Sequence, residues 1–372
     1  MSRVAIARIN LQALRHNLSV VRNKAPESKV LAVIKANAYG HGLLEVAESL
    51  IAADAFAVAH FEEAISLRER FPDKTIVLLQ GFSDEIELTL LLSQHIQPVI
   101  HCLSQIDLLE AFVEQNPDEI LSVWLKVDTG MHRLGVSIDN FEDSWARLNT
   151  ISGLHGNIKI MSHFANADIP EFEFNQVQSQ LFHKVTSTLE CEKSLANSAG
   201  LLSHEEYHYH WVRPGIMLYG VSPFNSISNK NNVSGFNLLP VMHLSSRIIA
   251  INKIKKGQVV GYGSCWQAPE DSVIAVVGIG YGDGYPRHIK ESTPVLIDGQ
   301  RYPIVGRVSM DMICVDLGNS TRCQMGDEVL LWGEGLPVEE IAEHASTIAY
   351  ELLCQITARV KYVYENNTPI TA

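Results

Sequence analysis

The sequence predicts an α/β chain: an N-terminal (β/α)8 TIM-type barrel followed by a mostly β C-terminal domain. Three observations carry this. Eight short apolar runs, at residues 30–34, 56–60, 76–80, 98–102, 123–127, 158–163, 195–198 and 216–219, alternate with helical stretches. A polar loop rich in Ser and Asn, SPFNSISNKNNVSG, follows at residues 222–235. Beyond it the apolar period becomes two, the period of half-buried strands.

Residues 3–8 alternate weakly and read as an edge strand with the option of pairing to the C-terminal domain. Residues 11–23 put Leu11, Leu14, Leu18 and Val21 on one face, a helical spacing. The eight runs have the length of buried parallel strands. Residues 62–70, 85–93 and 105–115, polar on one face, supply crossovers, and such alternation demands a parallel sheet. Eight units in about 200 residues fit a closed barrel, whose sites lie at the C-terminal strand ends. An open doubly wound sheet shares the alternation and is the alternative. The polar loop resists packing and marks a boundary between domains at 1–228 and 229–372. Past it, residues 242–251, 273–279, 294–297, 304–308, 313–315 and 328–332 read as strands. Asp298-Gly299 signals a hairpin, and residues 338–344 read as a helix after Pro337.

Composition narrows the function. Of 372 residues, 46% are hydrophobic and 19% charged, ordinary for a globular protein. A formal charge of −13 with no basic block argues against a nucleic-acid partner. No apolar run is long enough to span a membrane, and MSRVAIARIN lacks the apolar core of a signal peptide. The six cysteines are scattered, with no Cys-x-x-Cys pair, so neither a disulfide framework nor a zinc site is expected. His204, His208 and His210 cluster without ligand partners at metal spacing. These features predict a reduced, cytoplasmic protein.

The chemistry centres on AVIKANAYGHG, residues 32–42. An apolar run there ends on Lys35. A partly desolvated lysine has a lowered pKa and a free lone pair, as a Schiff-base lysine needs. A plain solvated lysine at a strand end satisfies the same pattern. Asn197-Ser198-Ala199-Gly200 and Arg213-Pro214-Gly215-Ile216 fall where barrels often bind phosphate, after strand seven and at the opening of strand eight. Small residues there let backbone N–H groups approach a ligand, although ordinary turns look alike.

AVIKANAYGHG resembles the pyridoxal-phosphate (PLP) attachment site of alanine racemases, and the resemblance extends over nearly the whole chain. It implies that Lys35 carries the cofactor. Tyr39, Ser198, the amides of Gly215 and Ile216, and Tyr350 in IAYELL would hold its phosphate, beside Asn197. It places Arg213 at the ring nitrogen, where many PLP enzymes have an acid. Arginine only donates, so that nitrogen stays neutral and the ring is a weak electron sink. A weak sink suits racemisation over transamination.

Further roles follow from the resemblance. In LKVDTGMHRLG, Arg133 would reach the cofactor and the substrate carboxylate, and Lys126 matches a lysine often carbamylated. His163, in MSHFANAD, would bond Arg213. Beyond the polar loop, GYGSCW carries Tyr262, the implied second base; a tyrosine needs nearby positive charge to act as one, and the His163–Arg213 pair is the candidate. GIGYGDGYPR carries Tyr281, and GRVSMDMI carries Met310, whose N–H would bind the substrate carboxylate; Ser309 stands where many members have cysteine. The implied reaction is two-base racemisation, Lys35 serving D-alanine and Tyr262 serving L-alanine, to feed D-alanine into peptidoglycan. A homodimer with shared active sites follows, because the two bases lie in different domains. Alternatives are a racemase of serine or another small amino acid, a decarboxylase of similar build, and a non-catalytic PLP-binding protein. No metal is expected.

Overall fold

A computed structural model describes residues 5–116, 122–154, 156–224 and 233–366. The boundary expected at 228/229 lies outside the described residues. Strand β1 (Ile6–Asn10) leads into a helix, Leu11–Lys24. Asn10 caps that helix, its side-chain oxygen accepting from the Gln12 and Ala13 N–H groups. Eight strands follow: β2 (Lys29–Val33), β3 (Ala55–Val58), β4 (Thr75–Leu78), β5 (Gln97–Ile100), β6 (Val123–Lys126), β7 (Ile158–Met161), β8 (Lys193–Asn197) and β9 (Trp211–Arg213). They pair in parallel, in chain order, and close when β2 pairs with β9. The open sheet is thereby excluded. Trp124, Leu31, Phe56 and Val99 are among the buried residues these strands contribute to the core.

The eighth barrel strand departs from expectation. Residues 216–219 form a 3-10 turn, not a strand, and the strand is Trp211–Arg213. Arg213 therefore ends it rather than opening it. Pro214 has no N–H to donate, and Gly215 leaves the extended register with ψ near −94°. The Pro214 carbonyl still accepts from the Val33 N–H at 2.9 Å, which ties the end of β9 to the end of the lysine strand.

The second domain is built on the long β10 (Met242–Ile254). It is followed by β11 (Val259–Val260), β12 (Trp266–Gln267), β13 (Ser272–Val277), β14 (Pro294–Ile297), β15 (Gln300–Val305), β16 (Ile313–Asp316), β17 (Glu328–Trp332) and β18 (Lys361–Glu365). The early part of β10 pairs with β1 and β17; its later part, after a register shift, pairs with β13. That double use closes a circuit through β10, β13, β16, β15, β14 and β17. At the β14–β15 turn, Asp298 and Gly299 both take positive φ, 49° and 72°, as a type I′ hairpin requires.

Strand β1 is not an edge: it lies between β10 and β18, and β18 is the edge. The chain's first described strand thus belongs to the second domain's sheet. Helix Val338–His344 stands as expected, and a further helix, Ala349–Cys354, follows it. Among the described residues no helix is long and apolar enough to cross a membrane.

Candidate active site

The lysine strand ends in a strained turn. Ala36, Asn37, Ala38 and Tyr39 follow Lys35 with φ of 54°, 53°, 54° and 51°, a left-handed helical turn built from residues with side chains. Such a conformation costs roughly 1–2 kcal/mol per residue, so the surroundings must enforce it. Several hydrogen bonds do. The Asn37 N–H donates to Glu63 at 2.8 Å, and the Asn37 side chain accepts from the Leu43 N–H at 2.9 Å. Buried His41 bonds the Tyr39 carbonyl through Nδ1 at 2.8 Å and packs on Tyr219, ring centroids 4.6 Å apart. A Cβ on Gly40 would overlap the Leu353 carbonyl, so helix Ala349–Cys354 lies directly on this turn. Sequence patterning gives no sign of that packing. It carries Tyr350 to within 6.0 Å, centroid to centroid, of Tyr39.

On the same rim, Ser198 Oγ accepts from the Gly215 N–H at 2.8 Å. Asn197 caps the short helix Ser198–Ser203, accepting from the Gly200 N–H at 3.0 Å. A Cβ on Gly215 would lie 2.7 Å from the Tyr39 hydroxyl oxygen. A hydroxyl from β8's end, a backbone amide and a tyrosine hydroxyl thus converge where only glycine leaves room, the chemistry of a phosphate cradle. Tyr39 and Tyr350 are pushed up by burial, Tyr350 to about 12, so both stay neutral donors. Ile216, next in the chain after Gly215, is buried.

Arg213 is buried and held from several sides. It donates to Ser194 Oγ at 2.7 Å, to the Ser162 carbonyl at 2.5 Å, to the Leu195 carbonyl at 3.2 Å and to His163 Nδ1 at 3.2 Å. No carboxylate faces it among the described residues. Burial brings its pKa down to about 10, which leaves it charged at neutral pH. His163 Nδ1 must accept, so its proton sits on Nε2. Burial, then Arg213, holds its pKa well below the usual histidine range. The pair therefore carries one positive charge, on Arg213. Ser162, Ser194, Thr129 and Gln178 complete the support: Ser162 bonds Thr129 at 2.8 Å, and Gln178 donates to the His163 carbonyl at 3.1 Å. These four were missed in the sequence because single Ser, Thr and Gln residues carry no spacing signal.

Lys126 ends β6 and is 9% exposed; its ammonium makes no hydrogen bond or salt bridge among the described residues, and Asp128 is the one carboxylate that acts on it from a distance. Burial, then Arg213, Arg133 and Lys35, brings its pKa down to about 8. The Lys35 pKa is likewise lowered, first by burial and next by Arg133. Arg133 itself is exposed. The rim therefore gathers Lys35, Lys126, Arg133 and Arg213, a surplus of positive charge fitted to an anionic ligand.

The second domain's candidates stand apart. Tyr262 is 71% exposed, Met310 51% and Tyr281 39%. No hydrogen bond or ring contact joins any of them to Lys35 in one chain. The Met310 N–H has no acceptor among the described residues.

The comparisons agree with this geometry. Residues 9–223 match the model of the alanine racemase N-terminal domain, and residues 241–364 that of the alanine racemase C-terminal domain. An alanine racemase of Shewanella sp. (strain MR-7) is 50% identical over 354 residues, 95% of this chain and 97% of that protein. One from Vibrio cholerae is 47% identical, over 97% of this chain and 98% of its own. Among solved structures, the biosynthetic alanine racemase of Pseudomonas aeruginosa superposes with a TM-score of 0.92 at 39% identity, over 98% of this chain and 100% of that one. The Bartonella henselae alanine racemase, solved with covalently bound pyridoxal phosphate, gives 0.87 at 30% identity, over 98% and 100%. Barrel, cationic rim and both domain matches place the chain in one group: it belongs to the alanine racemase family, isomerases of the two alanine enantiomers.

Proposed function

We propose that this chain racemises alanine with pyridoxal phosphate held on Lys35. The observation that carries the reading is the buried Arg213 with no acid beside it, on the same rim as a desolvated lysine and a cradle that only glycine leaves open. The residues fit the cofactor: Tyr39, Ser198, the amides of Gly215 and Ile216, and Tyr350 would hold its phosphate, with Asn197 fixing the Ser198 turn. When bound, pyridoxal phosphate supplies a carbonyl for covalent attachment and a sink for the electron pair left at Cα.

The side chains then divide the work. Lys35 Nζ, with its lowered pKa, takes or returns the Cα proton on one face, serving D-alanine. Tyr262 does so on the other, serving L-alanine. Arg213, charged and a donor only, would leave the cofactor's ring nitrogen neutral and so make it a weak sink. Arg213, with His163 as a neutral partner, would be the cation nearest the base on that face. Arg133 and the Met310 N–H bind the substrate carboxylate, and Tyr281 and Tyr350 bound the side-chain space. Its pKa, brought down to about 8, gives Lys126 a larger neutral fraction at pH 7 than an ordinary lysine. That amine is free to take up CO2 as a carbamate, an anion that would orient Arg133.

We infer a homodimer as well. Tyr262, Tyr281 and Met310 are exposed in one chain, yet their proposed roles need the barrel rim. A partner's second domain facing each rim satisfies both facts, and two-fold symmetry makes two equivalent sites. The sequence division near 228/229 then separates a cofactor-holding part from a part that completes the other chain's site. A decarboxylase would want an acid where Arg213 stands, and a cofactor-binding barrel alone would not need the second domain.

The test is a panel of L-amino acids incubated with the PLP-saturated protein and scored for D-product by chiral chromatography. D-alanine is expected as the fastest product, with serine slower. No D-alanine, or a faster D-product from another amino acid, overturns the reading.

A further inference from the structure

Two of the residues just assigned to substrate, Tyr281 and Met310, sit on turns with little packing of their own. The turn at 280–284 is tied to the segment around Met310 by its backbone. The Tyr281 N–H donates to the Ser309 carbonyl at 3.0 Å, and the Gly282 N–H to the Met310 carbonyl at 2.8 Å. Buried Asp283 closes the turn by accepting from the Gly280 N–H at 3.0 Å. Asp283 and Asp311 therefore flank the pair: one lies two residues after Tyr281, the other directly after Met310.

A third segment joins them. Thr357 donates through its N–H to the Asp283 carbonyl at 3.1 Å and through its hydroxyl to the Gly282 carbonyl at 3.0 Å. Two residues on, Arg359 reaches both acids. Its Nε stands 3.1 Å from Asp283, and its Nη2 stands 2.5 Å from Asp311. A Cβ on Gly282 would overlap its Nη1, so the guanidinium lies against the Tyr281 turn itself. A planar fork with separate donors can hold two carboxylates from different segments at once, whereas an ammonium is a single point charge.

We propose that Arg359 is a positioning residue for substrate: by clamping Asp283 to Asp311 it sets the spacing between the Tyr281 ring and the Met310 N–H. This rests on the reading above that those two groups meet the substrate. Both would act on the carboxylate and side chain in ground state and transition state alike. Loosening them therefore weakens uniform binding, which appears in KM and leaves kcat.

The experiment measures KM and kcat in both directions for wild-type, Arg359→Ala, Arg359→Lys and Asp311→Asn holoenzymes, with PLP content and melting temperature alongside. For Arg359→Ala the expected result is a rise in KM of about tenfold for both enantiomers, kcat within about twofold, and PLP content unchanged. Arg359→Lys should fall between wild type and Arg359→Ala. Asp311→Asn leaves the Asp283 contact and the turn intact; it should raise KM severalfold and decide the matter if Arg359→Ala loses PLP or folds poorly. Unchanged KM in Arg359→Ala, a lysine variant equal to wild type, or an Asp311→Asn variant with wild-type KM overturns the clamp. A wild-type protein that makes no D-alanine fails the functional reading instead; the clamp fails only when wild type is active and KM does not move.

Discussion

The barrel rim and the second domain's turns, both assigned by proposal to one reaction, stand in opposite physical states. Arg213 at the rim is 4% exposed, and its guanidinium is bonded to two carbonyls, a hydroxyl and an imidazole. Tyr262 is 71% exposed and bonded through its ring to nothing described. A site half-assembled from buried, preorganised groups needs no further partner to bind a cofactor. In the proposed site the exposed half would act only against another surface. Under the proposed shared-site dimer, the contrast assigns cofactor binding to one chain and turnover to two.

Removing the rim's covalent anchor should have the largest effect. Lys35→Ala is expected to lose racemisation by at least about 10³-fold, since both attachment and one base go with it. The check is the visible absorbance of purified protein with added PLP, then borohydride reduction and peptide mapping of wild type. Label on a lysine other than Lys35 would refute the assignment and, with it, the rim as the cofactor half.

Arg213→Glu attacks the rim's electronics while leaving the second domain untouched. An acid at the ring nitrogen strengthens the electron sink, so racemisation should slow about 10²-fold while transamination product appears. Pyruvate formed per racemisation event is the readout. Loss of PLP with no change in that ratio would count against the electronic role.

Mixing sharpens the comparison directly. Lys35→Ala and Tyr262→Phe proteins, each inactive, are dissociated and recombined. Equal random mixing makes about half the dimers mixed, and each mixed dimer holds one intact site, so about a quarter of all sites should recover. If both bases came from one chain, activity would stay at the parental level despite subunit exchange confirmed by mass spectrometry.

The smallest effect concerns Lys126. Its folded pKa, about 8, lies below the ordinary 10.5, so the unfolded chain holds that proton more tightly. The sign follows: the fold is penalised below pH 8, and the penalty lifts as pH rises from 8 toward 10.5. The shift corresponds to about 3 kcal/mol at most. Lys126→Met should therefore raise the melting temperature by a few degrees at pH 7 without bicarbonate, a gain that fades toward pH 10.5. Bicarbonate should stabilise wild type and not the mutant. Identical melting curves under all these conditions would remove both the unpaired cation and the carbamate from the account.

Some of this was legible in the sequence, because it depends on short-range pattern. The Lys35 strand, the hairpin at Asp298-Gly299, the helix Val338–His344 and the change of period past residue 222 all arise from local spacing and turn chemistry. The lysine at the end of its apolar run and the small residues beside Arg213 were legible too, whereas the sequence pattern puts Arg213 at the opening of its strand rather than at its end. Tertiary structure decided the rest. Pairing of β2 with β9 ended the eighth strand at Arg213 and turned residues 216–219 into a 3-10 turn, since a strand's extent depends on a partner far away in sequence. The placing of β1 between β10 and β18 joins residues hundreds apart, which no window on the chain can see. Helix Ala349–Cys354 delivers Tyr350 to the lysine turn only because Gly40 lets it approach. The neutrality of His163 and the lowered pKa of Lys126 came from burial among gathered cations, and burial exists only once the chain has folded.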